Sequence, residues 1–219
     1  MPQSAINIIA HIIVLLTIPF HEVAHGLVSL WLGDPTAKMA GRLTLNPLRH
    51  LDLLGSLSML ILGVGWAKPV PIDVRYYKNR KLGMAVSAAA GPLSNVLLAY
   101  LFLLAYKLCA WAAVLGHGGT AMETVCLVLY MVVLVNLNLA VFNLLPVPPF
   151  DGSRIIYTVL PETLYFKVMK YERYIMLALL AVFYIGILDA PLYWLRSGAL
   201  AALDWASGYM DVLAYTIFA

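Results

Sequence analysis

The chemistry-bearing part of this chain is the stretch His21-Glu22-Val23-Ala24-His25-Gly26, which sets two imidazoles and a carboxylate inside an apolar run. On a helix, positions four apart share a face, so His21 and His25 can turn one nitrogen each toward a single metal ion. Glu22, adjacent to His21, cannot point along the same direction and is placed for proton transfer rather than ligation. The pattern is that of a zinc site with a glutamate as general base. The bland alternative is a solvated helix face that happens to carry the same residues. The surroundings argue against it: from Ser4 to Leu32 the only other ionisable side chain is His11. A carboxylate in such a run costs roughly several kcal/mol unless it has a partner or a task. His11 is off the metal face by helical phase and reads as an interior, hydrogen-bonded histidine.

Those residues need a housing, and the composition says what kind. Of 219 residues, 63% are hydrophobic and 11% charged, with a mean hydropathy of +0.87. Soluble domains carry about 25% charged residues, so the chain reads as a polytopic membrane protein. The net charge of +3 is small and spread over loops. It orients the chain in a bilayer and is no nucleic-acid footprint. Cys109 and Cys126 fall in apolar segments and read as small buried hydrophobes. The Met-Pro-Gln-Ser start lacks the basic region of a signal peptide, so the first apolar run is expected to be retained.

Taken in order, Ser4 to about Leu32 is long enough to cross a hydrocarbon core, with Gly33-Asp34-Pro35 as its stop. Gly41 to Leu45 alternates as a short strand would, and Lys68 to Asp73 is extended and proline-limited. These two segments are expected to offer strand edges near the site, with Leu43, Thr44 and Val70 as candidate substrate contacts. Leu53 to about Val64 is too short to span and has basic flanks on both sides, which makes it a re-entrant or interfacial helix. Further spans are expected at Leu82 to Leu108 and Met122 to Leu145. The second of these breaks at Pro146-Val147-Pro148-Pro149-Phe150-Asp151-Gly152. Irregular backbone at membrane depth is tolerated only against a cavity or buried in protein, so Asp151 reads as the third metal ligand. Tyr174 to Leu188 and Ala199 to Phe218 read as one or two more spans. The basic segments at Lys38 to Arg49, Lys68 to Lys81 and Arg154 to Arg173 are expected on the cytoplasmic side, opposite Gly116 to Thr120.

Four elements resemble, in order, the site-2 protease family of intramembrane zinc metalloproteases, in its compact prokaryotic form without a PDZ or CBS domain. They are His21-Glu22-Val23-Ala24-His25-Gly26, Asn46-Pro47-Leu48-Arg49-His50, Ala90-Gly91-Pro92-Leu93-Ser94-Asn95 and Asn143-Leu144-Leu145-Pro146-Val147-Pro148-Pro149-Phe150-Asp151-Gly152. The resemblance implies one Zn2+ per chain held by His21, His25 and Asp151, with Glu22 as catalytic base and acid. It implies Asn95 and Asn143 as residues that line the site or support its ligands. It also implies an endopeptidase that cuts within or next to a transmembrane segment of a membrane protein, such as an anti-sigma factor or a membrane-tethered regulator, in regulated intramembrane proteolysis.

The expectation is therefore an all-α polytopic membrane protein with about 4–6 transmembrane helices, a re-entrant or interfacial helix and a small cytoplasmic-side strand element. Residues 1–154 form a membrane-embedded protease core and residues 155–219 add C-terminal helices to the same domain. The expected location is the cell membrane, with the lipid bilayer and a transmembrane substrate as partners and the active site toward the cytoplasm. The alternative is a non-enzymatic membrane metal-binding or transport protein, which would carry intramembrane acidic or histidine pairs on several spans. Here they gather at one Asp-Gly break.

Overall fold

The first helix, α1 (Gln3–Trp31), is 29 residues long. At 1.5 Å per residue it reaches about 43 Å, more than a bilayer core of about 30 Å. The computed structural model describes residues 2–62, 65–117 and 119–218. Two more helices are long and apolar enough to cross: α4 (Arg80–Ala112) with its continuation to Leu115, and α5 (Thr120–Asn143). Between α1 and α4 lie the short α2 (Thr36–Met39) and α3 (Leu53–Leu62).

The three long helices run antiparallel, as their contacts require. His21 meets Asn95 and His25 meets Ser87, so rising numbers in α1 pair with falling numbers in α4. Asn95 meets Asn136 and Cys109 meets Cys126, which does the same for α4 and α5. The packing follows rows of every fourth residue. On α1, Ile13, Thr17, His21, His25 and Ser29 are buried. On α4 the buried row is Gly83, Ser87, Gly91, Asn95, Ala99, Leu103 and Lys107. Rows of this spacing are the ridges by which helices interdigitate. Their small members let the backbones approach closely, the main source of helix association in lipid. Ala99 and Leu103 meet Val133 and Leu137 of α5 in the apolar core. Ile8, Ile12 and Leu16 on α1 and Leu93, Leu97 and Leu101 on α4 are exposed, as side chains facing acyl chains are.

The connection from α1 to α4 is held by hydrogen bonds. Asp34 is fully buried. Its Oδ1 accepts from the Thr36 N–H at 2.9 Å and from the Thr36 hydroxyl, and its Oδ2 accepts from Ser29 Oγ and from the Asp73 N–H, both at 2.8 Å. Burial pushes this carboxyl up, but the four donors outweigh it and hold it below the usual carboxylate range. The Tyr77 hydroxyl donates in turn to Ser29 Oγ at 2.7 Å. The Leu51 to Ala67 bridge and the Lys68 N–H to His50 carbonyl bond at 2.8 Å bring the two ends of the α3 segment together. The chain thus enters and leaves α3 on one side, as the re-entrant reading requires. Gly63 and Val64, which that reading included, lie outside the described residues.

The expected strand element does not form. Among the described residues β pairing is limited to the single Leu51–Ala67 bridge. Gly41 to Leu45 is irregular because its backbone groups find other partners: the Arg42 N–H bonds Ala37, and the Thr44 carbonyl accepts from His50 Nε2 at 2.8 Å.

After α5 come α6 (Asp151–Ile156), α7 (Glu162–Met169), α8 (Glu172–Ile185), α9 (Asp189–Ala206) and α10 (Tyr209–Phe218). The helices α8 and α9 meet at 87° and together could make a fourth span, the lower bound of the expected number. The bend follows Gly186, whose φ of +80° is the left-handed conformation that ends helices. The apolar stretch expected as continuous from Ala199 to Phe218 is broken at Ser207 and Gly208. Lys107 of α4 sits at that break. Its Nζ lies 2.9 Å from Asp204 and 2.7 Å from Asp211, and it also donates to the Asp204 and Ser207 carbonyls. A lysine inside a span is expensive unless paired, and here it fastens the C-terminal helices to α4.

Because α1, α4 and α5 alternate in direction, residues 32–52, residues 65–79 and the α5–α6 turn share one end of the bundle, and residues 113–117 and Gly119 lie at the other. Single cysteines placed at Lys78 and Gly119, with Cys109 and Cys126 replaced by serine, should react with an impermeant thiol reagent from opposite faces of sealed vesicles. Labelling of both from one face would contradict this arrangement.

Candidate metal centre

His21 and His25 leave α1 one turn apart, and their rings meet edge to face with centroids 4.6 Å apart. Their Nε2 atoms are 3.0 Å apart, and each is 3.2 Å from Asp151 Oδ2. Both histidines are buried, and Asp151 Oδ2 is a buried oxygen without a hydrogen-bond partner. Two imidazoles and a carboxylate brought from distant parts of the chain thus point at one spot. In a tetrahedral zinc site, ligand bonds of about 2.0–2.2 Å place donor atoms about 3.3–3.6 Å apart, a few tenths of an ångström wider than here. The donor set, its spacing and the orphaned oxygen all fit zinc.

The ring orientation is set from behind. Asn136 Nδ2 donates to the Val132 carbonyl at 2.9 Å, which leaves Asn136 Oδ1 to accept from Asn95 Nδ2 at 3.1 Å. Asn95 Oδ1 is then the group facing His21 Nδ1, at 2.6 Å. Since an amide oxygen only accepts, His21 Nδ1 carries the proton and its Nε2 presents a lone pair. His25 Nδ1 faces the Ser87 carbonyl at 2.7 Å, with the same consequence. Both imidazoles are thereby held in the tautomer that binds metal, the usual task of such supporting groups.

Two glycines make room. A Cβ on Gly91 of α4 would overlap both imidazole rings, so the close approach of α4 to the cluster depends on its absence. A Cβ on Gly152 would strike the Leu144 and Leu145 carbonyls at the end of α5, so Asp151 can start α6 close against that helix end.

Glu22 is half-buried and is not part of the converging set. Its Oε2 accepts the Val70 N–H at 2.8 Å. Leu43 and Val70 pack over α1 beside the cluster: a Cβ on Gly26 would lie 2.5 Å from Leu43 Cδ2 and 3.2 Å from Val70 Cγ1. Thr44 is engaged locally, its Oγ1 accepting from the Asn46 N–H at 3.2 Å. Asn143 donates to the Leu139 carbonyl of its own helix at 2.9 Å rather than to the ligands. Asn95 is where the sequence places it. Asn136, the Ser87 carbonyl and the part played by Gly91 were not assigned from sequence. Only the four-residue spacing of Ser87, Gly91 and Asn95 hints at them.

Comparison with known proteins agrees with this geometry. Residues 9–185 match the family model described as peptidase family M50. A Bacillus subtilis (strain 168) protein provisionally named zinc metalloprotease YwhC is 36% identical over 184 residues, covering 81% of this chain and 82% of that protein. A Methanocaldococcus jannaschii protein, also provisionally named a zinc metalloprotease, is 33% identical over 112 residues, covering 48% of this chain and 49% of its own. No solved structure matches.

The supporting chain behind His21 can be tested through metal affinity. Asn95→Leu removes the acceptor that holds the His21 tautomer and should weaken zinc binding about 10- to 100-fold in competition with a chelating dye. Unchanged affinity would mean that the amide does not orient the ring.

Proposed function

The chain belongs to the M50 family of peptidases and is a membrane zinc metalloprotease, and on that footing we propose that it is an intramembrane endopeptidase with one zinc per chain. The observation that carries the reading is the convergence of His21 Nε2, His25 Nε2 and Asp151 Oδ2, with the Glu22 carboxylate one residue along the same helix. His21, His25 and Asp151 are the ligands. Zinc held by three protein groups lowers the pKa of a water to about 7 and polarises a carbonyl.

The chain's own residues do the rest. Glu22 accepts the proton of the attacking water and passes it to the amide nitrogen as the peptide bond breaks. Asn95 and Ser87 keep the imidazoles in register throughout, and the apolar helices around the cluster exclude bulk water. His21 lies ten residues from the end of α1 at Trp31, which sets the cluster about 15 Å below that end. A substrate cut at this depth is a transmembrane segment. Its helical amides are hydrogen-bonded internally, so it must unwind locally before attack, and helix-breaking residues near the cut favour cleavage. The Leu43 and Val70 side chains beside Gly26 border the path such a segment would take.

The distribution of basic residues supports a site toward the cytoplasm. Lys38, Arg42, Arg49, Lys68, Arg75, Lys78, Arg80 and Lys81 crowd the end of the bundle where α1 finishes and α4 begins, which supports a cytoplasmic position by the positive-inside rule. Substrates in reach are then membrane-tethered regulators or anti-sigma factors cut near their cytoplasmic ends.

Glu22→Gln keeps the size and hydrogen-bonding reach of the side chain but removes the base. Cleavage of a helical test substrate should fall by a factor of order 10² or more while zinc stays bound. His21→Ala should lose both zinc and activity. A Glu22→Gln protein cleaving near the wild-type rate would remove the general-base role, and one that lost its zinc would make Glu22 a ligand.

A further inference from the structure

We propose that the Val70 backbone N–H is the fixed orienting contact of Glu22, and that Asp34, remote from the metal cluster, is the positioning residue that holds this N–H in place. The inference rests on the zinc endopeptidase reading above and adds to it a device that aims the base.

A glutamate has three side-chain torsions, and a base must present one oxygen in a fixed direction to be effective. Here one oxygen is anchored: Glu22 Oε2 accepts from the Val70 N–H at 2.8 Å, across 48 positions of sequence. Val70 stands between Pro69 and Pro71, so it carries the only backbone N–H of that tripeptide. The two prolines also fix their own φ and push the residue before each, Lys68 and Val70, to extended conformations. The segment is a short, stiff strut with one donor, and the donor faces the base. With Oε2 occupied, Oε1 is the oxygen left for proton transfer.

The strut is pinned at both ends. At one end the Lys68 N–H donates to the His50 carbonyl at 2.8 Å, and Arg42 Nη2 donates to the Lys68 carbonyl at 2.7 Å. At the other, the Asp73 N–H donates to Asp34 Oδ2 at 2.8 Å. Asp34 is fully buried and collects donors from Ser29 in the last turns of α1, from Thr36 and from Asp73. A buried carboxylate is costly unless its oxygens are satisfied, and these bonds tie the end of the catalytic helix to the strut. Asp34 has no contact with the metal ligands or Glu22 among its hydrogen bonds and acts through Val70.

The test compares variants of the full chain in detergent for zinc content, thermal midpoint, kcat and KM on one helical substrate. Val70→Pro keeps the extended backbone and deletes the donor. Its kcat should fall about 10- to 100-fold. KM should shift no more than in Val70→Ala, since both variants trim the side chain beside the substrate path and only Val70→Pro loses the contact to the base. Zinc should be retained. Val70→Ala, which trims the side chain and keeps the N–H, should lose less kcat than Val70→Pro. Asp34→Ser leaves one oxygen for the Thr36 turn and drops the Oδ2 partners, and Asp34→Asn keeps the shape. Either, whichever yields folded protein, should lower kcat with zinc bound. Combined with Val70→Pro it should cost nothing further, because both act through one contact. Val70→Pro with near wild-type kcat overturns the proposal, as does a double variant whose losses multiply. A wild type that binds zinc and cleaves no helical substrate overturns the protease reading and this role with it, whereas an active wild type beside an active Val70→Pro overturns this role alone.

Discussion

Two imidazoles and a carboxylate can be brought together inside a bilayer only where a neighbouring helix comes close enough to hold them and leaves space for them. At Gly91 that condition is met by a missing side chain: α4 lies against both rings, and a single Cβ there would overlap them. The close approach delivers the Ser87 carbonyl to His25 and the Asn95 amide to His21 from the same face of α4. Those contacts fix which nitrogen carries each proton. The lone pairs then point inward, and Asp151 Oδ2 meets them, set there by the Gly152 contact with the end of α5. The burial rows of α1 and α4 serve this meeting.

Among the described residues, two polar sets that α4 joins make a contrast. One runs from the Val132 carbonyl through Asn136 and Asn95 to His21 and stops at the ligand cluster, where Asp151 Oδ2 is left over. The other, Lys107 with Asp204 and Asp211, closes on itself and takes the Trp111 indole N–H as a further donor to Asp211. A polar set that closes is a fastening. One that ends on an unpaired buried oxygen calls for a cation, and that contrast separates the candidate site from the latch of the C-terminal helices.

Much of this was legible in the residues. The His21 and His25 pair needed only helical spacing, and Asp151 announced itself by standing after a proline-rich break at membrane depth. The three long helices agree with the apolar runs to within a few residues. The alternation of Gly41 to Leu45 misled, because hydrogen bonds to Ala37 and from His50 claimed backbone groups that a strand would need. The run from Ala199 to Phe218 misled for a different reason: its interruption at Ser207 is completed by Lys107, 100 positions away, which no local pattern contains. Asn143 shares its residue type with Asn95, yet it turns back on its own helix. Contacts between distant segments decide such cases.

The central claim is that α1 and the turn after α5 complete one metal site, and zinc content measures it most directly. Purified wild-type protein should carry about one zinc per chain, and Asp151→Ala, which leaves both histidines in place, should lose it on dialysis against a mild chelator. Full retention of zinc by Asp151→Ala, with both proteins equally folded, would contradict the account.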